Sequence, residues 1–175
     1  MGKRVATGLL RTSVTAMATV TVTAMALAAC GSKPAPRPSP SATPGCTDSA
    51  GRLNAVGDGY RVVDGLVAIP DDRVFPVAPS GEKAPAAKLF AKWGLLVRTG
   101  QTVEISVKSG GALVGWGAPG VPAASVRITA CWEGSQAWTA FAGGTWVAAP
   151  ACVPIAIRAG GKTEDARLPI GKPCA

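Results

Sequence analysis

Residues 102–108 read TVEISVK, residues 125–130 read SVRITA and residues 152–159 read CVPIAIRA. In the first run Val103, Ile105 and Val107 alternate with Thr102, Glu104 and Ser106. In the second, Val126, Ile128 and Ala130 alternate with Ser125, Arg127 and Thr129; in the third, Val153, Ile155 and Ile157 alternate with Cys152, Ala156 and Arg158. Successive side chains of a strand point to opposite faces, so a period of two means one face buried and one wet. That is the habit of antiparallel sheets. Leu168 and Ile170, set around Arg167, carry the same pattern further.

Turn signals separate these runs. Arg98-Thr99-Gly100-Gln101 links a strand at 94–98 to the one at 102–108, and Ser109-Gly110-Gly111 follows it. Gly143-Gly144 lies between WTAFA and TWVAA, and Gly160-Gly161-Lys162 precedes the last strand. Upstream, Gly57-Asp58-Gly59, Ile69-Pro70-Asp71-Asp72 and Ala78-Pro79-Ser80-Gly81 punctuate the chain; short strands are expected near 60–68 and 73–77, and one helical turn in 86–92. About seven short strands spaced by turns predict an all-β chain, a small antiparallel β-sandwich, with the immunoglobulin-like sandwich and the small barrel as its forms. The composition agrees: 22 Gly, 15 Pro and only 16% charged residues suit strands and tight turns better than long helices.

Outside this region the chain changes character. It opens MGKRVATGLLRTSVTAMATVTVTAMALAAC, with Lys3, Arg4 and Arg11 ahead of an uncharged run from Thr12 to Ala29. A basic segment before an apolar one is the form of a secretory signal. Its end, Leu27-Ala28-Ala29-Cys30, resembles the lipobox of bacterial lipoproteins. The resemblance implies cleavage before Cys30 and a diacylglyceryl group (palmitate-like acyl chains) on its sulfur. Each buried acyl CH₂ contributes about 0.8 kcal/mol, so two chains hold a protein to a membrane. The segment GSKPAPRPSPSATPG follows, with proline at 34, 36, 38, 40 and 44. It cannot build a core and favours extended polyproline-like conformations, a spacer of roughly 40 Å. The expected organisation is therefore a signal peptide at 1–29, the lipidated Cys30 and Pro-rich linker at 30–45, and a disulfide-bonded β-domain at 46–175. The expected location is extracytoplasmic, on the membrane surface. The GLLVRTGQTVEISV and AFAGGTWV stretches, taken as hairpins, are similar to those of small secreted actinobacterial proteins, a resemblance that brings no activity with it.

With Cys30 committed to lipid, Cys46, Cys131, Cys152 and Cys174 remain. An even number in an exported domain reads as two disulfides, with three possible connectivities. Cys131 and Cys152 both fall out of phase with the buried residues of their strands, on the outer face. Adjacent strands would bring them together there and leave Cys46 and Cys174 to join the ends of the domain.

Several chemistries are disfavoured. The sequence contains no histidine, which removes the Ser-His and Cys-His dyads and the commonest zinc ligand; no CxxC pair replaces it, so neither metal nor cofactor is expected. The formal charge is +8, but residues 46–175 hold 13 of the 18 basic and all 10 acidic residues, leaving +3. No basic run interleaved with aromatics appears, so no nucleic-acid partner is expected. Gly115 to Gly120 spells GxGxxG, yet Pro119 and Pro122 block the helix that a dinucleotide loop must open. Ala156 to Thr163 lacks the first glycine of a phosphate loop, and Ser80-Gly81-Glu82-Lys83 stands without the companion motifs of penicillin-binding enzymes.

Two features remain as candidates for function. One is the stretch 136–149, read as a hairpin turning at Gly143-Gly144 with Phe141 facing Trp146 and Trp138 on the other side. Aromatics on both faces leave one face as a binding platform of Trp138, Phe141 and Trp146, with Trp132 or Trp116 nearby, or else both are covered, one by the opposing sheet and one by loops from 47–92. The other is the set of carboxylates Asp58, Asp64, Asp71, Asp72, Glu104, Glu133, Glu164 and Asp165, from which a glycoside hydrolase would draw two. The expected function is a non-enzymatic, lipid-anchored binding module of the cell envelope, its partner a cell-wall glycan or an envelope protein. A small carboxylate-based cell-wall hydrolase and a structural envelope protein are the alternatives.

Overall fold

The computed structural model describes residues 43–175 except 72, 109, 118, 119 and 133. The signal segment, Cys30 and most of the Pro-rich linker lie outside the described residues.

Eleven strands form: β1 Gly51–Leu53, β2 Tyr60–Val63, β3 Val67–Pro70, β4 Ala78–Pro79, β5 Leu89–Arg98, β6 Thr102–Val107, β7 Leu113–Trp116, β8 Ser125–Thr129, β9 Trp138–Val147, β10 Ala151–Ala159 and β11 Lys162–Ile170. Short 3-10 turns occupy Cys46–Asp48 and Pro85–Ala87. The strands make two antiparallel sheets, a small β-sandwich as the alternation predicts. In the first sheet the order is β1-β9-β5-β3-β2, with β7 also on β9 and β4 also on β5; in the second it is β11-β10-β6-β8.

The second sheet behaves as the sequence announces. Val103 and Ile105, Val126 and Ile128, Val153, Ile155 and Ile157, and Leu168 and Ile170 all point into the interface, and Val107 is partly buried against it. Opposite them, Leu95, Val97, Phe141, Val147 and Trp93 come from the first sheet. Burying an aliphatic side chain of this size contributes roughly 1.5–3 kcal/mol, so these alternating residues are the main source of cohesion.

The strand expected near 60–68 is broken in two by a turn at Asp64-Gly65, while the expected Gly160-Gly161 turn forms. Asp64 and Gly65 take positive φ angles of 48° and 71°, and Leu66 N–H donates to the Val63 carbonyl, closing a tight turn between β2 and β3. Gly160 and Gly161, at φ 55° and 80°, join Ala159 to Lys162 in the β10–β11 hairpin. Paired positive φ angles match the right-handed twist of the flanking strands, which is why Asp-Gly and Gly-Gly serve there.

The Arg98-Thr99-Gly100-Gln101 turn works differently. It does join two strands, but β5 belongs to the first sheet and β6 to the second, so it is an arch between layers and not a hairpin. From β5 to β10 the chain changes sheet at every connection. Residues 73–77 contribute only a bridge, parallel, from Phe75 to Ile170, and the 86–92 stretch enters β5 after one 3-10 turn.

The largest departure is at Gly143-Gly144. Residues 138–147 form one uninterrupted strand, paired over its whole length with β5 from Leu89↔Val147 to Arg98↔Trp138. Neither glycine has a positive φ. Their role is clearance. Gly143 lies opposite Trp93 on β5 and Trp116 on β7, and the two indoles meet edge to face above it, centroids 4.8 Å apart at 78°. A Cβ there would stand 2.6 Å from Trp116 Cδ1 and strike the Gly115 carbonyl; at Gly144 it would stand 2.8 Å from the Phe90 ring and strike the Ala91 carbonyl. Contacts that close cannot be accommodated by any side chain. Trp93 Nε1 donates to Thr145 Oγ1 at 3.0 Å, which satisfies one of the two buried indoles.

Candidate functional site

The aromatic platform does not form. Trp138, Phe141 and Trp146 are 5%, 0% and 7% exposed. Because β9 is a single central strand, Phe141 points between the sheets against the core, while Trp138 and Trp146 point to the outer face of the first sheet. Trp138 packs with Ala68 and Leu96 beneath Val56 of the loop before β2 and Tyr60 of β2, and Arg98 stacks on its ring at 5.6 Å. Trp146 lies against Phe90, ring centroids 4.5 Å apart. Both faces of β9 are therefore covered, the outcome in which loops from 47–92 complete the core. Trp116 is likewise buried. Trp132 alone of the five tryptophans stays outside, 80% exposed.

The cysteines pair as Cys46–Cys131 and Cys152–Cys174, with Cα–Cα distances of 5.3 and 5.0 Å. Both separations lie within the range a disulfide spans. The expected Cys131–Cys152 bridge fails because β6 lies between β8 and β10. Two strand spacings of about 4.8 Å exceed the roughly 7 Å that a bridge tolerates. The pairing of Cys46 with Cys131 holds the entry of the chain, with Pro44 O accepting from Thr129 N–H on the edge of β8.

Asp64 and Glu164 line one small depression of about 120 Å³ with Lys162, and at least four of the candidate carboxylates are held by cations. Glu104 bonds Arg127 at 3.3 Å, Asp165 bonds Lys108 at 2.5 Å, Asp64 bonds Lys162 at 2.7 Å and Glu164 faces Arg61 at 3.5 Å. Asp72 and Glu133 lie outside the described residues. Asp64 sits in the β2–β3 turn, where its positive φ and its ion pair account for it. Glycoside hydrolysis needs two carboxyl groups facing one bond, one of them held protonated. Glu104, Asp165, Asp64 and Glu164 each face a cation instead.

What the structure adds is a groove along β11, the outermost strand of the second sheet. It is an open depression of about 690 Å³ lined by Arg61, Lys108, Pro154, Asp165, Ala166 and Arg167. A second depression of about 360 Å³ shares Pro154 and Arg167 with it and adds Lys172. Phe75 N–H donates to the Pro169 carbonyl, which shows that Pro169 turns its backbone outward. By alternation Arg167, Asp165 and Thr163 do the same, and among the described residues no backbone group pairs with them on that side. Pro154 lies opposite Lys108 at the end of the β6–β10 ladder, where its carbonyl accepts from Lys108 N–H at 2.9 Å and its ring leaves the reciprocal bond unmade.

The groove's charge is predominantly positive. Arg61, Lys108, Arg167 and Lys172 border it, and Asp165, with Glu164 on the Arg61 side, supplies the acids. These ion pairs are between half-exposed side chains, and such pairs are worth about 0–1 kcal/mol. An incoming anion therefore displaces a carboxylate at little cost. Of these residues, the sequence places Asp165 and Glu164 among the candidate carboxylates and Arg167 only as the outward neighbour of Leu168. Arg61 and Lys108 come from different sheets, and nothing local to either announces that they border one groove. In comparisons with known proteins, no family model matches this chain and no curated protein matches it, so the reading of the groove rests on its own geometry.

Proposed function

We propose that this chain is a lipid-anchored extracytoplasmic binding module of the cell envelope. Residues 1–29 serve as the export signal, Cys30 carries the lipid, the 30–45 linker tethers the domain to the membrane, and the groove beside β11 engages the partner. The observation that carries the binding role is the juxtaposition of three cations, Arg61, Lys108 and Arg167, with an unpaired strand edge in one open groove, with Lys172 in the depression beside it. A partner suited to it presents carboxylates or phosphates along an extended chain, as an envelope protein segment or an anionic wall polymer does. Electrostatic attraction of this kind falls with ionic strength, since the Debye length shrinks from about 10 Å at 0.1 M salt to about 3 Å at 1 M. Two disulfides in a small domain support residence in an oxidising compartment.

The test is retention of the detergent-solubilised full chain on envelope fractions separated into wall polymer and membrane protein. A Lys108→Ala, Arg167→Ala variant, checked for an unchanged melting temperature, runs beside it. Retention on one fraction that weakens with salt and drops at least tenfold in the variant supports the groove. Equal retention of the two proteins, or none on either fraction, refutes it.

A further inference from the structure

The segment that carries Trp132 is held by hydrogen bonds before and after the indole. Gly100 N–H donates to the Ala130 carbonyl at 2.7 Å and Ala130 N–H returns a bond to Gln101 at 2.9 Å. Thr99 N–H donates to Ala137, and its hydroxyl donates to Gln136 at 2.9 Å. Cys131 is bridged to Cys46. The loop that follows β8 is thus tied to the β5–β6 arch and to the entry of the chain on both sides of the indole. The ring itself lies flat on Gly100, where a Cβ would meet Trp132 Cζ3 at 2.9 Å and clash with Cε3. Gly100 has φ +82°, a conformation that also favours glycine. An indole mounted this firmly yet 80% exposed is costly to leave in water, and nothing in the packing of the domain needs it there.

Its location supplies the reason. Trp132 follows directly on the cysteine that is bridged to Cys46, so it stands where the linker joins the domain. The same end of the first sheet carries the cross-strand row Leu53–Trp138–Arg98, in which Leu53 is 41% exposed and Arg98 is exposed. An indole, an aliphatic side chain and an arginine are the set that favours the boundary between headgroups and acyl chains, where a ring with a polar N–H and a cation both find partners.

We infer that Trp132 is a membrane-contact residue that seats the tether end of the domain on the bilayer surface, leaving the β11 groove free to meet its partner. This rests on the lipid at Cys30, which keeps the domain within linker reach of the bilayer and makes even a weak contact effective.

The experiment uses the full lipidated chain in phosphatidylcholine–phosphatidylglycerol vesicles, with and without bromine on the acyl chains. Trp93, Trp116, Trp138 and Trp146 are buried in the domain, so bromine in the bilayer reaches Trp132 first. The expected result is flotation with the vesicles and loss of roughly a fifth of the tryptophan emission in brominated lipid, one indole of the five. That loss should be absent in Trp132→Phe, which still floats. Flotation without quenching in the wild type overturns the contact and leaves the anchor standing. Failure to float overturns both. Quenching that persists in Trp132→Phe overturns the assignment to this residue. So does shielding of Trp132 from acrylamide by soluble wall glycan without any bromine effect, which would make the indole a sugar platform.

Discussion

Gly143→Ala tests the reasoning about the central strand. The added Cβ would lie against Trp116, 2.6 Å from Cδ1 and 2.7 Å from Cα, and against the Gly115 carbonyl. Backbone on β7 and a buried indole cannot both retreat without disturbing the Trp93–Trp116 contact. Overpacking of a tight core costs about 1–3 kcal/mol, and replacing Gly in a strand returns roughly 0.5–1 kcal/mol through the unfolded chain. Because both neighbours are stiff, the net should sit near the upper end, a destabilisation of about 2 kcal/mol, or roughly 6–10 °C in Tm for a domain of this size. Gly57→Ala is the control: it meets nothing within 4 Å and has no positive φ, so it should stay within about 0.5 kcal/mol of the parent. Gly143→Asn sharpens the test. Asn is among the best residues for a positive-φ hairpin turn, so if 143–144 were a turn the Asn variant would melt at or above the wild type. In the continuous strand it must melt below the Ala variant. Thermal melts followed by circular dichroism decide the order, and an Asn variant as stable as wild type refutes the clearance argument.

Other consequences are as direct. Peptide mapping under non-reducing conditions should recover Cys46–Cys131 and Cys152–Cys174; a Cys131–Cys152 peptide contradicts the strand order. Replacing the pair separated by 85 residues with serine should cost about 4.6 kcal/mol and the pair separated by 22 about 3.4 kcal/mol by loop entropy, so urea midpoints should fall further for the first. Asp64 raises the pKa of Lys162 above its ordinary 10.5, chiefly through their hydrogen bond and then through charge attraction. A raised folded-state pKa means the pair's contribution is complete below the ordinary lysine value and is lost as pH climbs through the raised one. As pH climbs past the ordinary lysine value of 10.5 the wild type should therefore lose melting temperature faster than Lys162→Gln, and about 1 M salt should narrow the difference because the pair is exposed. Parallel curves at low salt would refute that reading.

The parts of the fold that were legible in the sequence are those decided by which face is wet. Val103 and Ile105, or Val153, Ile155 and Ile157, reveal their side by alternation alone because the second sheet buries one face only. Gly160-Gly161 was legible as a turn because its φ angles demand glycine, whereas Asp64-Gly65, which breaks the strand expected near 60–68, was not read as one. Strand order was not legible, since arches and hairpins use the same turn residues. The misplaced disulfides follow from that, as β6 had no local mark of lying between β8 and β10. Gly143-Gly144 misled for a different reason: a glycine wanted for space looks the same in sequence as one wanted for φ. The groove was hidden altogether, because Arg61 reaches β11 from the other sheet. Trp132 was visible as a tryptophan, but its exposure depends on the tie between its loop and Gly100.

The central claim is that the domain is held to the outer face of a membrane by Cys30. Intact mass measurement of the mature protein, extracted from membranes of cells expressing the full chain, tests it most directly. The account predicts a chain beginning at Cys30 with the added mass of a diacylglyceryl group, and a Cys30→Ser variant that lacks both the added mass and the cleavage. A wild-type chain that retains residues 1–29, or begins elsewhere without lipid, would contradict it.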